Sequence, residues 1–160
     1  MADGSISIAV ISDTHGFLRR SVVRELSDCS VILHAGDIIN RSDLDELALY
    51  GSLYAVKGNC DVWIPGLEEL AGVLSFTVGG VRFVMTHDEM NLPKDREPAD
   101  VVVTGHTHRY REARDGGVLR LNPGSCGRSR FGSDVTMAKL TVKDGKILRV
   151  RRIDFRDEDP

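Results

Sequence analysis

Five short, β-branched stretches of this chain each run into a side chain able to bind a metal, and no other feature constrains the fold as tightly. Residues 7–11 lead into Asp13-Thr14-His15, residues 31–33 into Gly36-Asp37, and residues 53–56 into Gly58-Asn59-Cys60-Asp61. Residues 81–85 lead into His87, and residues 101–104 into Gly105-His106-Thr107-His108. Runs this short and this rich in valine and isoleucine predict strands rather than helices. Ligands of an open α/β sheet gather beyond the carboxyl ends of its strands, so the pattern predicts that the five segments converge. The glycines at 36, 58 and 105 are expected to let the backbone turn sharply as it leaves the sheet.

The remaining pattern fills in the frame. Residues 73–78 and 81–85 flank Gly79-Gly80, a hairpin signal, and residues 118–121, 135–142 and 146–153 complete the strands. Lys143-Asp144-Gly145 joins the last two as a second hairpin. A helix over 19–26 carries Val22, Val23 and Leu26 on one face. A second helix is expected to start at Ser42 as N-cap, with Asp45 three residues on and Leu44, Leu47 and Ala48 as its apolar stripe. Strand, helix, strand, helix, strand predicts a parallel sheet, which the later hairpins make mixed or supplement with a second. The tail 149–160, mixed in charge, reads as an edge strand with a frayed end.

Composition bounds the function. At 160 residues, 41% hydrophobic and 28% charged, the chain is expected to be one ordinary globular domain and not a disordered one. A net charge of −3 argues against a broad basic footprint for duplex nucleic acid. Cys29, Cys60 and Cys126 are odd in number and lack a CxxC pair, which argues against a disulfide framework and a thiolate zinc site. No leader pattern opens the chain and no run reaches the roughly 18 apolar residues of a membrane span, so the expected compartment is the cytoplasm.

Taken singly, an Asp-x-His or a Gly-Asp pair is ordinarily a turn, and a lone histidine is ordinarily a hydrogen-bonded core residue. Four of the five histidines falling with two aspartates and one asparagine at five strand exits predict a metal centre. Nitrogen and oxygen donors without thiolate suit manganese, iron, zinc or nickel, and disfavour copper or a closed structural zinc site. Seven candidates, Asp13, His15, Asp37, Asn59, His87, His106 and His108, are too many for one tetrahedral ion and suit two adjacent ones. Two divalent cations against two aspartates leave the site positive, which points to anionic substrates and to phosphate esters first.

The motifs Asp13-Thr14-His15, Gly36-Asp37, Gly58-Asn59, Thr86-His87, Gly105-His106-Thr107-His108 and Asn122-Pro123-Gly124-Ser125 resemble, in order, those of calcineurin-like metallophosphoesterases. The chain is similar to the small, single-domain bacterial and archaeal phosphodiesterase branch over residues 5–155. That resemblance implies a four-layer α/β/β/α sandwich of two mixed β-sheets with the metals at one edge. It implies that Asp13, His15 and His108 hold one metal, that Asn59, His87 and His106 hold the other, and that Asp37 bridges. Asp37, Asn59 and His87 would be catalytic, manganese the first choice of metal with nickel, iron or zinc as alternatives, and the reaction hydrolysis of phosphate diesters by a metal-bridging hydroxide.

Two positions depart from the family pattern. Many relatives carry a histidine where this chain has Cys60, and a thiol is a poor general acid, so diesters and esters with good leaving groups are the expected substrates. Asp88 stands where glycine is usual, and reads as a residue that orients His87 or lowers the site's net charge, or else as a solvated loop residue. His34 is expected beside the ligands or in the core, and Asp61 is expected to orient Asn59 or close its turn. Trp63 is expected in the core, with a wall of the substrate cleft as the alternative, while Arg128 and Arg130 are candidates to grip phosphate. Ligand segments spanning 13–108 leave no room for a cap or lid, so residues 1–160 read as one domain with an open site. Edge strands or an apolar patch around Trp63 offer a route to a homodimer. The competing readings are a partner-binding scaffold, as in the related retromer subunit, and a nuclease.

Overall fold

Alternation of apolar residues on both faces of the first strand decides the layering. In the computed structural model, which describes residues 3–160, Ile8 and Val10 of β1 (Ile6–Ile11) point one way and Ala9 and Ile11 the other, and all four are buried. β1 is therefore covered on both sides, as a central strand of a parallel unit must be. β2 (Val31–His34) and β3 (Ser52–Ala55) lie parallel to it in sequence, and β9 (Val135–Lys143) and β10 (Lys146–Phe155) close the other side antiparallel. The order is β10-β9-β1-β2-β3. The helices α1 (Arg20–Glu25) and α2 (Arg41–Leu47) pack Val22, Val23, Leu44 and Leu47 onto the Ala9, Ile11 and Ile32 face.

A second five-stranded sheet packs on the Ile8, Val10 and Leu33 face. It contains β4 (Val73–Val78), β5 (Val81–Thr86), β6 (Val101–Val103), β7 (Tyr110–Asp115) and β8 (Val118–Pro123), in the order β4-β5-β6-β8-β7. Its inward residues Phe83, Met85, Val101, Val103, Leu119 and Leu121 interdigitate with the first sheet to make the main core. Both sheets are mixed, as expected. The layer outside the second sheet is thin: a 3-10 turn, Glu89–Asn91, is held there by Glu89 on Arg111 and Arg120.

Several local expectations are corrected. The N-cap of α2 is Asn40, whose side chain accepts from the Ser42 amide at 3.2 Å, so the helix starts before Ser42. β7 carries no alternating pattern in Tyr110–Asp115 and is missing from the expected strands. The tail is docked, not frayed. Arg19, fully buried, donates to the carbonyls of Arg156, Asp157 and Asp159 on one side and of Cys126 and Gly127 on the other. Trp63 is 91% exposed rather than in the core, because Leu67 and the carboxylate of Asp61 fill the inner side of its loop.

Candidate metal centre

Strands β1, β2, β5 and β6 all end at one edge of the sandwich, and the loops leaving them are stitched together by backbone hydrogen bonds. Asp13 N donates to Gly36 O at 2.9 Å, His15 N to Asp37 O at 3.0 Å, and Gly105 N to His87 O at 2.9 Å. Within these loops Asp13, His15, Asp37, Ile39, His106 and His108 adopt positive φ between 47° and 73°. They make up six of the eight non-glycine residues with that backbone among the described residues. Each costs about 1–2 kcal/mol and persists only where its surroundings dictate it. Five of the six are predicted ligands, and the backbone brings them to one sheet edge, where His106 stays about half exposed. Gly36 shares this backbone (φ 102°), but Gly58 and Gly105 do not. Those two are needed for space: a Cβ on Gly58 would fall on the Asp37 carboxylate, and one on Gly105 on Ser12 Oγ.

The donors form two sets. Asp13, His15 and His108 bring one ligand atom each within 4.8 Å of one another, and so do Asp37, His87 and His106. Asp37 Oδ2 lies 3.6 Å from His15 Nε2 and 3.3 Å from His87 Nε2, between the sets. His87 donates from Nδ1 to the Ala35 carbonyl at 2.7 Å, which leaves its Nε2 lone pair facing the centre. Asp13 Oδ2 accepts from Ser12 Oγ at 2.6 Å and from the His106 amide at 3.0 Å. Its other oxygen, Oδ1, is buried and accepts no hydrogen bond among the described residues, although His108 and His15 bring Nε2 to 3.2 and 3.6 Å. A buried carboxylate oxygen left without a hydrogen bond and ringed by imidazole nitrogens fits a divalent cation. Burial alone would raise the Asp13 carboxyl, but His108 and His15 outweigh it and hold it well below the carboxylate range. Burial opposes ionisation of Asp37 too, and His87 and the Cys60 amide draw it down.

The other predicted residues divide. Asn59 is exposed and its amide points at Cys60 Sγ, 3.5 Å away, on the rim of a hollow that also contains His87 and His106. Cys60 was not expected as a ligand, yet its thiol sits with His15 and Asp37 in a third cluster within 4.8 Å. Burial and then Asp37 push that thiol up in the metal-free protein. Asp61 does not touch Asn59. It is fully buried and accepts from Ile38 N, Ile39 N and Gly58 N at 2.8–2.9 Å, pinning the Asp37 loop to the Gly58 loop. Asp88 does not orient His87; it accepts from Met90 N and sits 3.9 Å from His106 Nε2. Arg130 lines a groove beside His106 and His108, whereas Arg128 stacks over the Phe17 ring at 4.1 Å.

The Asn122-Pro123-Gly124-Ser125 motif proves to be a clamp. Asn122 Nδ2 donates to Gly105 O at 2.9 Å and Thr107 Oγ1 at 3.1 Å, steadying the loop of His106 and His108. Ser125 Oγ donates to Asp13 O at 3.0 Å. His34 is a buried strut: its Nδ1 accepts from Gly36 N at 3.1 Å and its Nε2 donates to Thr14 Oγ1 at 3.0 Å. Burial lowers its pKa from 6.5 to about 4, so the native state holds it neutral. An unfolded chain protonates this group as pH falls through 6.5, and the native state resists until about 4. Its contribution is therefore complete above 6.5 and is lost on acidification between those values. Measured by urea unfolding of metal-free protein, wild type relative to His34→Gln is expected to lose about 3 kcal/mol from pH 6.5 to 4.

Comparison with known proteins supplies a family and a fold. The profile of the calcineurin-like phosphoesterase superfamily domain matches residues 6–145. A probable metallophosphoesterase of Methanocaldococcus jannaschii is 31% identical over 88% of this chain and 78% of its own length. A phosphodiesterase of the same archaeon is 28% identical over 76% of this chain and 84% of its own. The structure of vacuolar protein sorting 29 from Cryptosporidium parvum superposes with a TM-score of 0.75 at 22% identity, covering 96% of this chain and 99% of that one. At that identity the likeness is one of fold. Among the described residues no helix is long and apolar enough to cross a membrane.

Proposed function

The chain belongs to the calcineurin-like phosphoesterase superfamily, and from that premise we propose that it hydrolyses phosphate diesters with two divalent cations. One observation carries the reading: Asp37 Oδ2 lies between two donor sets, within 3.6 Å of His15 Nε2 and 3.3 Å of His87 Nε2. Asp13, His15 and His108 would hold one cation and His87, His106 and Asn59 the other, with Asp37 shared. Manganese suits these nitrogen and oxygen donors, as do nickel, iron and zinc. When bound, such ions neutralise charge on the phosphoryl oxygens and supply a water-derived nucleophile near neutral pH.

The protein's own groups do the positioning. Ala35 O fixes the His87 ring, Ser12 and the His106 amide hold Asp13, and the Cys60 amide holds Asp37 Oδ1 at 2.9 Å. Arg130 adds a cation at the rim for a phosphoryl oxygen. Cys60 puts a thiol, a weaker acid than imidazolium, in the place of an imidazole and gives little help to a departing alkoxide. Diesters are therefore the expected substrates. With manganese-loaded protein, kcat/KM for bis(p-nitrophenyl) phosphate should exceed that for p-nitrophenyl phosphate on the order of tenfold. Faster monoester turnover would contradict the assignment.

A second reading, a partner-binding scaffold, is favoured by one feature, the exposed Trp63 beside the Gly58–Asp61 loop. The retained donor sets favour catalysis, and hydrolysis lost in Asp37→Ala with the fold intact would separate the two.

A further inference from the structure

The loop after the Asn122–Ser125 clamp breaks two local rules at one residue. Arg130–Ser133 is a tight turn closed by Ser133 N donating to Arg130 O at 3.0 Å, with Phe131 and Gly132 both at positive φ, 53° and 72°. Turns of this kind take asparagine or glycine at the first central position, and a bulky aromatic there is strained. Phe131 is also fully exposed. The turn is nonetheless braced, by Ser129 Oγ on Ser133 O at 2.7 Å, Arg130 N on Ser133 Oγ at 3.1 Å and Ser129 N on Asp157 Oδ1 at 2.9 Å. A strained, solvated aromatic held rigidly in place is a feature kept at a cost in stability, and such features mark sites of contact.

What lies beside it gives the contact its chemistry. Phe131 lines a groove of about 690 Å³ together with His106, His108, Arg109, Tyr110 and Arg130. Arg152, also in the lining, is neutralised by Asp134 and Asp154 and lies 5.0 Å over the Tyr110 ring. Arg109 and Arg130 form no ion pair among the described residues, so the lining carries two cations that no carboxylate offsets. We propose that this groove is a subsite for one arm of the phosphate ester, an arm that is planar and aromatic and carries a further negative charge. The ring packs on Phe131 and the charge meets Arg109, while the phosphoryl group sits at the ligands. The assignment rests on the phosphoesterase reading.

Inert phosphonates test it by calorimetry with manganese-loaded protein. Phenylphosphonate should bind about three- to tenfold more tightly than methylphosphonate, and 4-carboxyphenylphosphonate tighter again by a similar factor. Phe131→Ala should erase the first ratio and Arg109→Gln the second. Phe131→Asn, suited to the left-handed backbone, should melt higher than wild type while also losing the phenyl preference, a pairing that a purely structural residue would not give. Equal affinity for methyl- and phenylphosphonate, or a phenyl preference that survives Phe131→Ala, overturns the subsite even where nitrophenyl diesters are hydrolysed. A protein that binds none of the three and hydrolyses no ester overturns the phosphoesterase reading, and the subsite with it.

Discussion

Gly58→Ala is expected to reduce kcat/KM for bis(p-nitrophenyl) phosphate by about a hundredfold or more, although only one methyl group is added. The new Cβ would fall on Oδ1 and the backbone nitrogen of Asp37 and within 2.8 Å of its Cγ. Asp37 has nowhere to retreat. Its φ of 58° is set by the crossing of its loop with that of His15, and the Cys60 amide holds Oδ1 at 2.9 Å. Relief requires the carboxylate to leave its place between His15 and His87, which separates the two donor sets. The same variant should lose affinity for manganese in a titration, with the far-ultraviolet dichroism of a folded chain. Activity within threefold of wild type would show that Asp37 is not held as described.

Asp61→Ala is expected to lower stability by about 3–5 kcal/mol, because three amides, of Ile38, Ile39 and Gly58, lose their acceptor in a fully buried place. For a domain of this size that corresponds to a fall in melting temperature on the order of 10 °C. Ile39 is itself at positive φ, 69°, so loss of its amide's acceptor also removes a restraint on a strained backbone. Calorimetry of metal-free protein measures this without reference to activity. A shift of 2 °C or less would mean that water or a local rearrangement replaces the carboxylate.

The candidate site was legible because its donors sit at strand ends, and strands of valine and isoleucine announce where they stop. Gly79-Gly80 and Asp144-Gly145 were legible for the same local reason, and their φ values of 49–79° are those of primed hairpin turns. Gly116-Gly117 carries the same signature, at 56° and 82°, and would have disclosed β7 had the polar, half-exposed run before it been admitted as an edge strand. Other features have no local sign. Arg19 looks like any helix-leading cation, because the carbonyls that satisfy it lie at 126–127 and 156–159, more than a hundred residues away. Asp61 reads as a turn closer and does accept from Gly58 N, but its partners Ile38 and Ile39 belong to another strand's exit and have no local sign. Trp63 defeats hydropathy outright: a large aromatic belongs inside on average, and here the loop around it is anchored by its neighbours. The Phe131 turn is similarly opaque, since an aromatic between Arg130 and Gly132 says nothing of backbone φ until the turn is seen.

The proposed diester hydrolysis depends on two cations that share Asp37. Titrating manganese into metal-free protein while following bis(p-nitrophenyl) phosphate hydrolysis tests it most directly. Activity should reach a plateau at two ions per chain, and Asp37→Asn should lose both the tight stoichiometry and the activity while the fold is kept. A plateau at one ion, hydrolysis without added metal, or an Asp37→Asn protein as active as wild type would contradict it.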